Sequence, residues 1–268
     1  MPNVTIHVAT TQLPRLRDLA LRASDSPYDL ACVLEEKCFG RGFSGEPVAR
    51  VVEEEGAIRG LSVTCGKYLR LILVDRGYRR RGIGSALLGN VSLIGAEPGN
   101  YFTPGVVESD DATIAFLRAR GFNETASTWN LGVTPHAALH GAEGVVAPAQ
   151  GDRERFLSFV EREFGAIWRF EAARALDVPA PRALWIEETG FVVWEANNRG
   201  LGTFGPTGVA KAHREKGHGR RLLLAALSEL RALGHERVTI PWTDAIDFYR
   251  RSCGAEPAHR FITFAKPL

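Results

Sequence analysis

Two stretches of this sequence carry residues suited to holding an anion: 78–88, YRRRGIGSALL, and 213–227, HREKGHGRRLLLAAL. Each sets two glycines among basic residues, directly before a leucine-rich helical pattern. The first amides of a helix have no partner inside it, and the helix dipole adds positive character there. A phosphate or pyrophosphate suits that arrangement, and glycine lets the backbone approach it closely. In the first stretch Gly82 and Gly84 take these places. Arg79, Arg80, Arg81 and Ser85 lie around them, after a strand-like run that ends near Val74. In the second, Gly217 and Gly219 follow a run ending near Val209, among Arg214, Glu215, Lys216, His218 and Arg220.

The spacing separates three kinds of phosphate loop. Neither stretch has the G-x-x-x-x-G-K-[ST] of a nucleotide-triphosphate loop. Neither completes the G-x-G-x-x-G of a dinucleotide fold, since Leu87 and Leu222 stand where the third glycine belongs. What remains is Arg-x-x-Gly-x-Gly, present as Arg79-x-x-Gly82-x-Gly84 and again as Arg214-x-x-Gly217-x-Gly219. The two copies lie 135 residues apart (217 minus 82).

The elements around the loops repeat as well. In the first half VTIHVA reads as a strand, 13–23 as a helix, and VARVVEEEG, AIRGLSVTCG and KYLRLILVD as an antiparallel meander. The period of RGIGSALLGNVSLIGA predicts a helix stopping at Gly95. NYFTPGVV reads as a strand, SDDATIAFLRARGF as a helix with arginines in its last turn, and TASTWNLGV as a closing strand. The second half offers helices over DRERFLSFVEREF and 168–176. Strands follow over ALWIEE, GFVVWEANN and GLGTFGPTGVA, then the main helix, the strand RVTIPW, the helix TDAIDFYRRSCG and the strand HRFITFAKP. Between the halves TPHAALHGAEGVVAPAQG changes in texture, which predicts domains over 1–135 and 150–268 with a linker at 136–149. TASTWNLGV is a candidate for closing the sheet of the other half.

With 45% apolar and 24% charged residues over 268 positions and a net charge of +2, the composition is that of an ordinary soluble protein. The positive charge is local, which suits a small anionic ligand rather than nucleic acid or a membrane. No signal peptide or spanning segment is legible, so a cytoplasmic location is expected. Cys32, Cys38, Cys65 and Cys253 have no metal-type spacing, and no metal is expected.

Both halves resemble the GNAT N-acetyltransferase superfamily, on the paired R-x-x-G-x-G loops and on the later segments TIAFLRARGF and AIDFYRRSCGA. The resemblance implies an α/β fold of two tandem GNAT-like domains, each a mixed central sheet flanked by helices. It implies acetyl-CoA as co-substrate, its pyrophosphate on these loops, and direct attack of a primary amine on the thioester. A tyrosine on the helix after the fifth strand would protonate the departing thiolate, and fourth-strand amides would polarise the carbonyl. Tyr249 fits that tyrosine, although it precedes Gly254 by five residues where the family uses four. A core aromatic is the competing reading. The first half has Phe116 and Leu117 there, so the C-terminal half is expected to be catalytic and the N-terminal half a structural or substrate-shaping partner, with CoA binding on its loop left open. For the base, Asp244 competes with an N-cap role, and Glu195 with a solvent-facing one. GTFGPTGVAKAHREKGHGRRLL, WTDAIDFYRRSCGAE and YFTPGVV are most similar to glucosamine/glucosaminide acetyltransferases, implying an amino-sugar acceptor, with Trp185, Trp194 and Trp242 available for stacking. Mycothiol-synthase-like or aminoglycoside acetylation, or CoA sensing without turnover, are the alternatives. The protein is expected as a monomer or homodimer acting on a small-molecule amine.

Overall fold

The chain starts with a short strand, β1 (Val4–Ile6), in a computed structural model that describes residues 4–6, 10–135 and 143–267. Residues 7–9 of the expected first strand and 136–142 of the expected linker lie outside these. The described residues form two compact units, 1–128 with 260–268, and 129–259.

In the first unit, α1 (Leu13–Ala23) begins with Pro14 in its first turn, where a missing N–H costs nothing. It buries Leu16, Leu19, Ala20 and Ala23. The second helix, α2 (Leu30–Phe39), is capped by Asp29, whose carboxylate accepts from Cys32 N at 3.1 Å. The sequence reading assigned no element there, although Leu30, Val33, Leu34 and Cys38 have helical spacing. The meander forms as expected: β2 (Pro47–Glu54), β3 (Ala57–Cys65) and β4 (Tyr68–Val74) pair antiparallel in that order, with β1 outside β2.

Two expectations change here. The helix after the first loop, α3 (Ile83–Leu88), ends at Gly89 in a positive-φ conformation instead of reaching Gly95. The residues after it turn back: Ser92 N and Leu93 N both donate to Lys67 O, and β5 (Leu93–Ile94) pairs parallel to β4. Of NYFTPGVV only Val106 and Val107 are extended, as β6 (Val106–Val107). The preceding Asn100 and Tyr101 are drawn to a buried lysine instead. Asp110 caps α4 (Asp111–Arg118) by accepting from Thr113 N at 2.9 Å.

The strand β7 (Asn123–Val133) then leads into the second unit. There α5 (Arg153–Phe164) and α6 (Ala166–Leu176) pack Phe156, Phe159, Ala172 and Ala175 against Trp185 and Phe191 of an antiparallel sheet. Its strands are β8 (Ala183–Ile186), β9 (Gly190–Trp194) and β10 (Phe204–Val209). The long helix α7 (His218–Ala232) buries Leu222, Leu223, Leu227 and Leu230. It is followed by β11 (Val238–Thr243), α8 (Ile246–Cys253) and β12 (Glu256–Ala265).

Each unit is closed by a strand from the other half of the sequence. In the second unit β11 pairs with the end of β7, Ile240 opposite Leu131 and Val238 opposite Val133. In the first, the last residues of the chain complete the sheet. Phe261 lies opposite Val107, Phe264 opposite Ile94, and Thr125 and Thr263 hydroxyls meet at 2.8 Å. The TASTWNLGV segment thus acts as the exchanged strand through its last five residues.

Candidate functional site

The first unit holds a cleft because two neighbouring strands separate. β4 pairs with β3 along its length but with β5 only at Tyr68 and Leu69. Beyond Ile94 the chain turns away through Gly95 (φ +79°) and Ala96 (φ +54°). Glycine is required at 95, since a Cβ would sit 2.4 Å from Pro104 O. The separation is held by a buried ion pair: Arg70 Nε lies 2.8 Å from Glu97 Oε2, and Arg70 Nη2 lies 2.5 Å from Glu97 Oε1. Arg70 Nη1 also donates to Lys37 O and Gly40 O. A pair this buried holds only when its remaining protons are satisfied, and here backbone carbonyls do so. The result is a cavity of about 720 Å³ along the open side of β4, reaching Gly82, Gly84 and Ser85 at one end.

The glycine loops are built alike in both units. Gly82 (φ +84°, ψ −7°) and Gly217 (φ +80°, ψ −3°) are the left-handed caps of α3 and α7. Arg80 and Glu215, two residues earlier, also have positive φ. Arg79 Nε donates to Val74 O at 3.3 Å, and Arg214 Nε to Val209 O at 3.1 Å. The motif arginine therefore ties the loop to the end of its strand. In the first unit Arg79 is committed further, to Ala23 O and to Asp25 Oδ2 at 2.7 Å. Arg76 joins it on Asp25, and the two hydrogen bonds hold that carboxyl below the ordinary aspartate value. Arg81 stacks on the Tyr78 ring at 4.7 Å. Arg79 and Arg80 of the loop line the cavity, and Arg120 joins them from the turn after α4. Arg120 donates to Ser85 Oγ and lies 3.8 Å from the centre of the Phe116 ring. Sequence reading placed Arg120 only as a helix-end charge.

A methyl at Gly84 would come within 3.1 Å of Phe116 and 3.7 Å of Val74. At Gly219 it would meet Phe248 at 3.6 Å and Val209 at 3.7 Å. Phe116 and Phe248 are therefore counterparts, which pairs Leu117 with Tyr249. Leu117 precedes Gly121 by four (121 minus 117) and Tyr249 precedes Gly254 by five (254 minus 249), so the second unit has one residue more between that position and its glycine. Around the second loop Lys216 Nζ donates to Ala212 O at 3.3 Å, and Arg220 is exposed. Partial burial, then the charge of Arg221, hold the His218 pKa below the ordinary imidazole value.

In the second unit α8 packs on the strands through Tyr249, while Trp129, Asp244, Phe248 and Pro257 line a hollow of about 420 Å³ on its other side. Tyr249 is buried, edge-on to Phe204 at 6.1 Å and to Phe248 at 5.0 Å, in one core with Trp194, Leu131 and Ile240. Burial pushes its phenol up to about 12. Asp244 is exposed, and the side chain beside the start of α8 is Thr243, whose Oγ1 accepts from Ala245 N at 3.1 Å. Glu195 stands one residue past β9 with φ +47°, and it faces inward. Its carboxylate takes hydrogen bonds from Arg182, Gly200 N (2.7 Å) and Gly202 N (3.0 Å), and meets His235 Nε2 at 3.1 Å. Tyr249, Asp244 and Glu195 thus occupy three different environments. Trp185 and Trp194 are buried, whereas Trp242 is exposed.

Glu195 consequently carries a stability expectation. Glu195→Gln removes the charge that Arg182 faces while keeping the shape, so the second unit should lose about 3 kcal/mol in a urea titration. A base role would show instead as lost turnover in protein that is still folded.

Two units carry the same strand-loop-helix cradle, and the first has an open cleft beside it. The chain belongs to the acetyltransferase (GNAT) family, whose profile matches residues 17–122 and 155–255. Among solved structures, 98% of this chain superposes on the glucosamine N-acetyltransferase region of a fungal multi-domain GH3 β-N-acetylglucosaminidase, with TM-score 0.75 and 14% identity. The match spans 38% of that fungal chain. A GCN5-related N-acetyltransferase from Sphaerobacter thermophilus gives TM-score 0.68 at 16% identity, over 98% of this chain and 95% of that one. A tandem GNAT protein from the clavulanic acid biosynthesis pathway gives 0.67 at 17%, over 98% of each. Comparison by sequence with curated proteins gave no match. Among the described residues no helix is long and apolar enough to cross a membrane.

Proposed function

We propose that this protein transfers an acetyl group from acetyl-CoA to a primary amine of a small molecule, an amino sugar, in the cleft of the first unit. The observation that carries the reading is the 720 Å³ cavity running from the Gly82 loop along the open side of β4. The residues present fit the co-substrate. Nothing lies within 4 Å of where a Cβ of Gly82 would be, so the loop backbone is approachable. Arg80 and Arg120 bring positive charge to that end for a pyrophosphate. Beyond Leu69 the side of β4 that β5 leaves is open to an extended chain. Acetyl-CoA supplies an activated acyl group as a thioester. The protein supplies orientation, the polar backbone of β4 and exclusion of water.

The fold's likeness to a glucosamine N-acetyltransferase region supports the amino-sugar acceptor. Release of free thiol from acetyl-CoA is the test, with glucosamine, an aminoglycoside and a cysteinyl amine offered in parallel. Glucosamine is expected to give the highest kcat/KM. Binding of acetyl-CoA without thiol release from any amine would make the protein a CoA sensor instead.

A second reading assigns turnover to the second unit through Tyr249, Asp244 and Glu195, with Gly217, His218 and Gly219 as the cradle. Tyr249 favours it, because it puts a phenol on α8 at the position where α4 has Leu117. Separate substitution of the two cap glycines, Gly82 and Gly217, decides between them.

A further inference from the structure

We propose that Tyr101 is the proton donor of the first-unit cleft, positioned by the buried Lys37; this rests on the acetyl-transfer reading above. Lys37 is fully buried, an unusual place for an ammonium group, which loses several kcal/mol of hydration on leaving water. It donates to Glu36 Oε1 (2.8 Å), Asn100 Oδ1 (2.8 Å) and Tyr101 O (3.1 Å). Two of these acceptors belong to one short segment. Asn100 is itself buried, and its Nδ2 donates to Gly40 O at 2.9 Å and Glu36 O at 3.2 Å. Arg70 grips the same helix end through Gly40 O and Lys37 O while pairing with Glu97. Two buried cations and one buried amide thus pin 97–101 to the end of α2.

The pinned segment belongs to the cleft wall: Glu97, Tyr101, Phe102 and Thr103 all line the cavity. Tyr101 is half-buried and is the one tyrosine among the lining residues. The helix that would carry a phenol, α4, offers Phe116 and Leu117, and neither has a proton to give. A thiolate leaving a thioester gains from a positioned acid. The amine lone pair forms the C–N bond, the C–S bond breaks, and its electron pair leaves on sulfur. The Tyr101 hydroxyl proton passes to that sulfur, and the phenolate recovers a proton from the acylated nitrogen. The products are the amide and neutral CoA thiol.

The experiment follows thiol release from acetyl-CoA with glucosamine, and with water alone as acceptor, since hydrolysis needs the same leaving-group proton. Tyr101→Phe should lower kcat on the order of 100-fold in both assays. Its KM and calorimetric affinity for acetyl-CoA should stay within about twofold. Lys37→Met should lower kcat alone but add nothing in a Tyr101→Phe background, an outcome a general packing role would not give. Should Lys37→Met unfold, Asn100→Ala reads the same arm. Wild-type kcat in Tyr101→Phe, or a raised acceptor KM at unchanged kcat, overturns the proposal while leaving acetyl transfer intact. Wild-type protein that fails to bind acetyl-CoA overturns the acetyl-transfer reading itself. Binding without thiol release to either acceptor overturns the proton-donor role.

Discussion

Gly82→Glu is expected to weaken acetyl-CoA binding at least about 100-fold in a calorimetric titration, about 2.8 kcal/mol, while Gly217→Glu leaves affinity within about twofold. Two physical effects add at Gly82. Its φ of +84° costs a residue with a Cβ about 1–2 kcal/mol, and a carboxylate there repels the pyrophosphate at close range. No atom lies within 4 Å of the added Cβ, so the folding cost should be limited to that backbone strain, and a melting temperature lowered by no more than several degrees would check this. Gly217 has the same conformation and the same open space. The difference between the variants therefore reports which cradle faces a usable cleft. The cavity lies beside Gly82, whereas in the second unit the Tyr249 ring, in place of Leu117, packs on Phe204. Loss of binding in Gly217→Glu alone would move the reaction to the second unit and revive Tyr249 as its acid.

Phe261→Ala should destabilise the first unit by about 3–5 kcal/mol in urea unfolding, the range for deleting a buried aromatic. Phe261 is fully buried only seven residues from the last position of this sequence, paired opposite Val107 and stacked on Tyr28 at 6.4 Å and 18°. It also lines the cavity. Deleting 260–268 should be more severe still. It removes Phe264 and the Thr125–Thr263 contact as well, and leaves β5 and β6 without the strand that pairs with them. Acetyl-CoA protection against unfolding should disappear with the segment, because ligand stabilises only a folded site. A cost below about 1 kcal/mol for Phe261→Ala would refute the assignment of the last strand to the first unit.

The sequence by itself determined the features that depend on neighbours along the chain. Two Arg-x-x-Gly-x-Gly loops imply two left-handed caps, because φ near +80° is open to glycine and costly to other residues. Alternation across 47–74 implied the meander, and the acidic start of 109–111 implied a helix. Local signals also misled. Continuous apolar spacing past Gly89 extended α3 on paper, while backbone pairing of Ser92 and Leu93 with Lys67 O ended it in the fold. The motif arginines read as phosphate ligands, yet Arg79 and Arg214 spend hydrogen bonds on the strand ends, and Arg79 on Asp25. Glu195 read as a strand residue open to a cleft or to solvent, and only the approach of Arg182, His235, Gly200 and Gly202 makes it a buried junction.

Tertiary structure alone placed a cleft beside the Gly82 loop and supplied what holds that cleft open. The Arg70–Glu97 pair spans 27 positions, the Lys37–Asn100 contact 63, and the strand that closes the first unit comes from the far end of the sequence. No period or spacing records such contacts. They are set by which side chains remain unsatisfied once the strands have paired, and a charge removed from water must then find its partner wherever the fold has brought one.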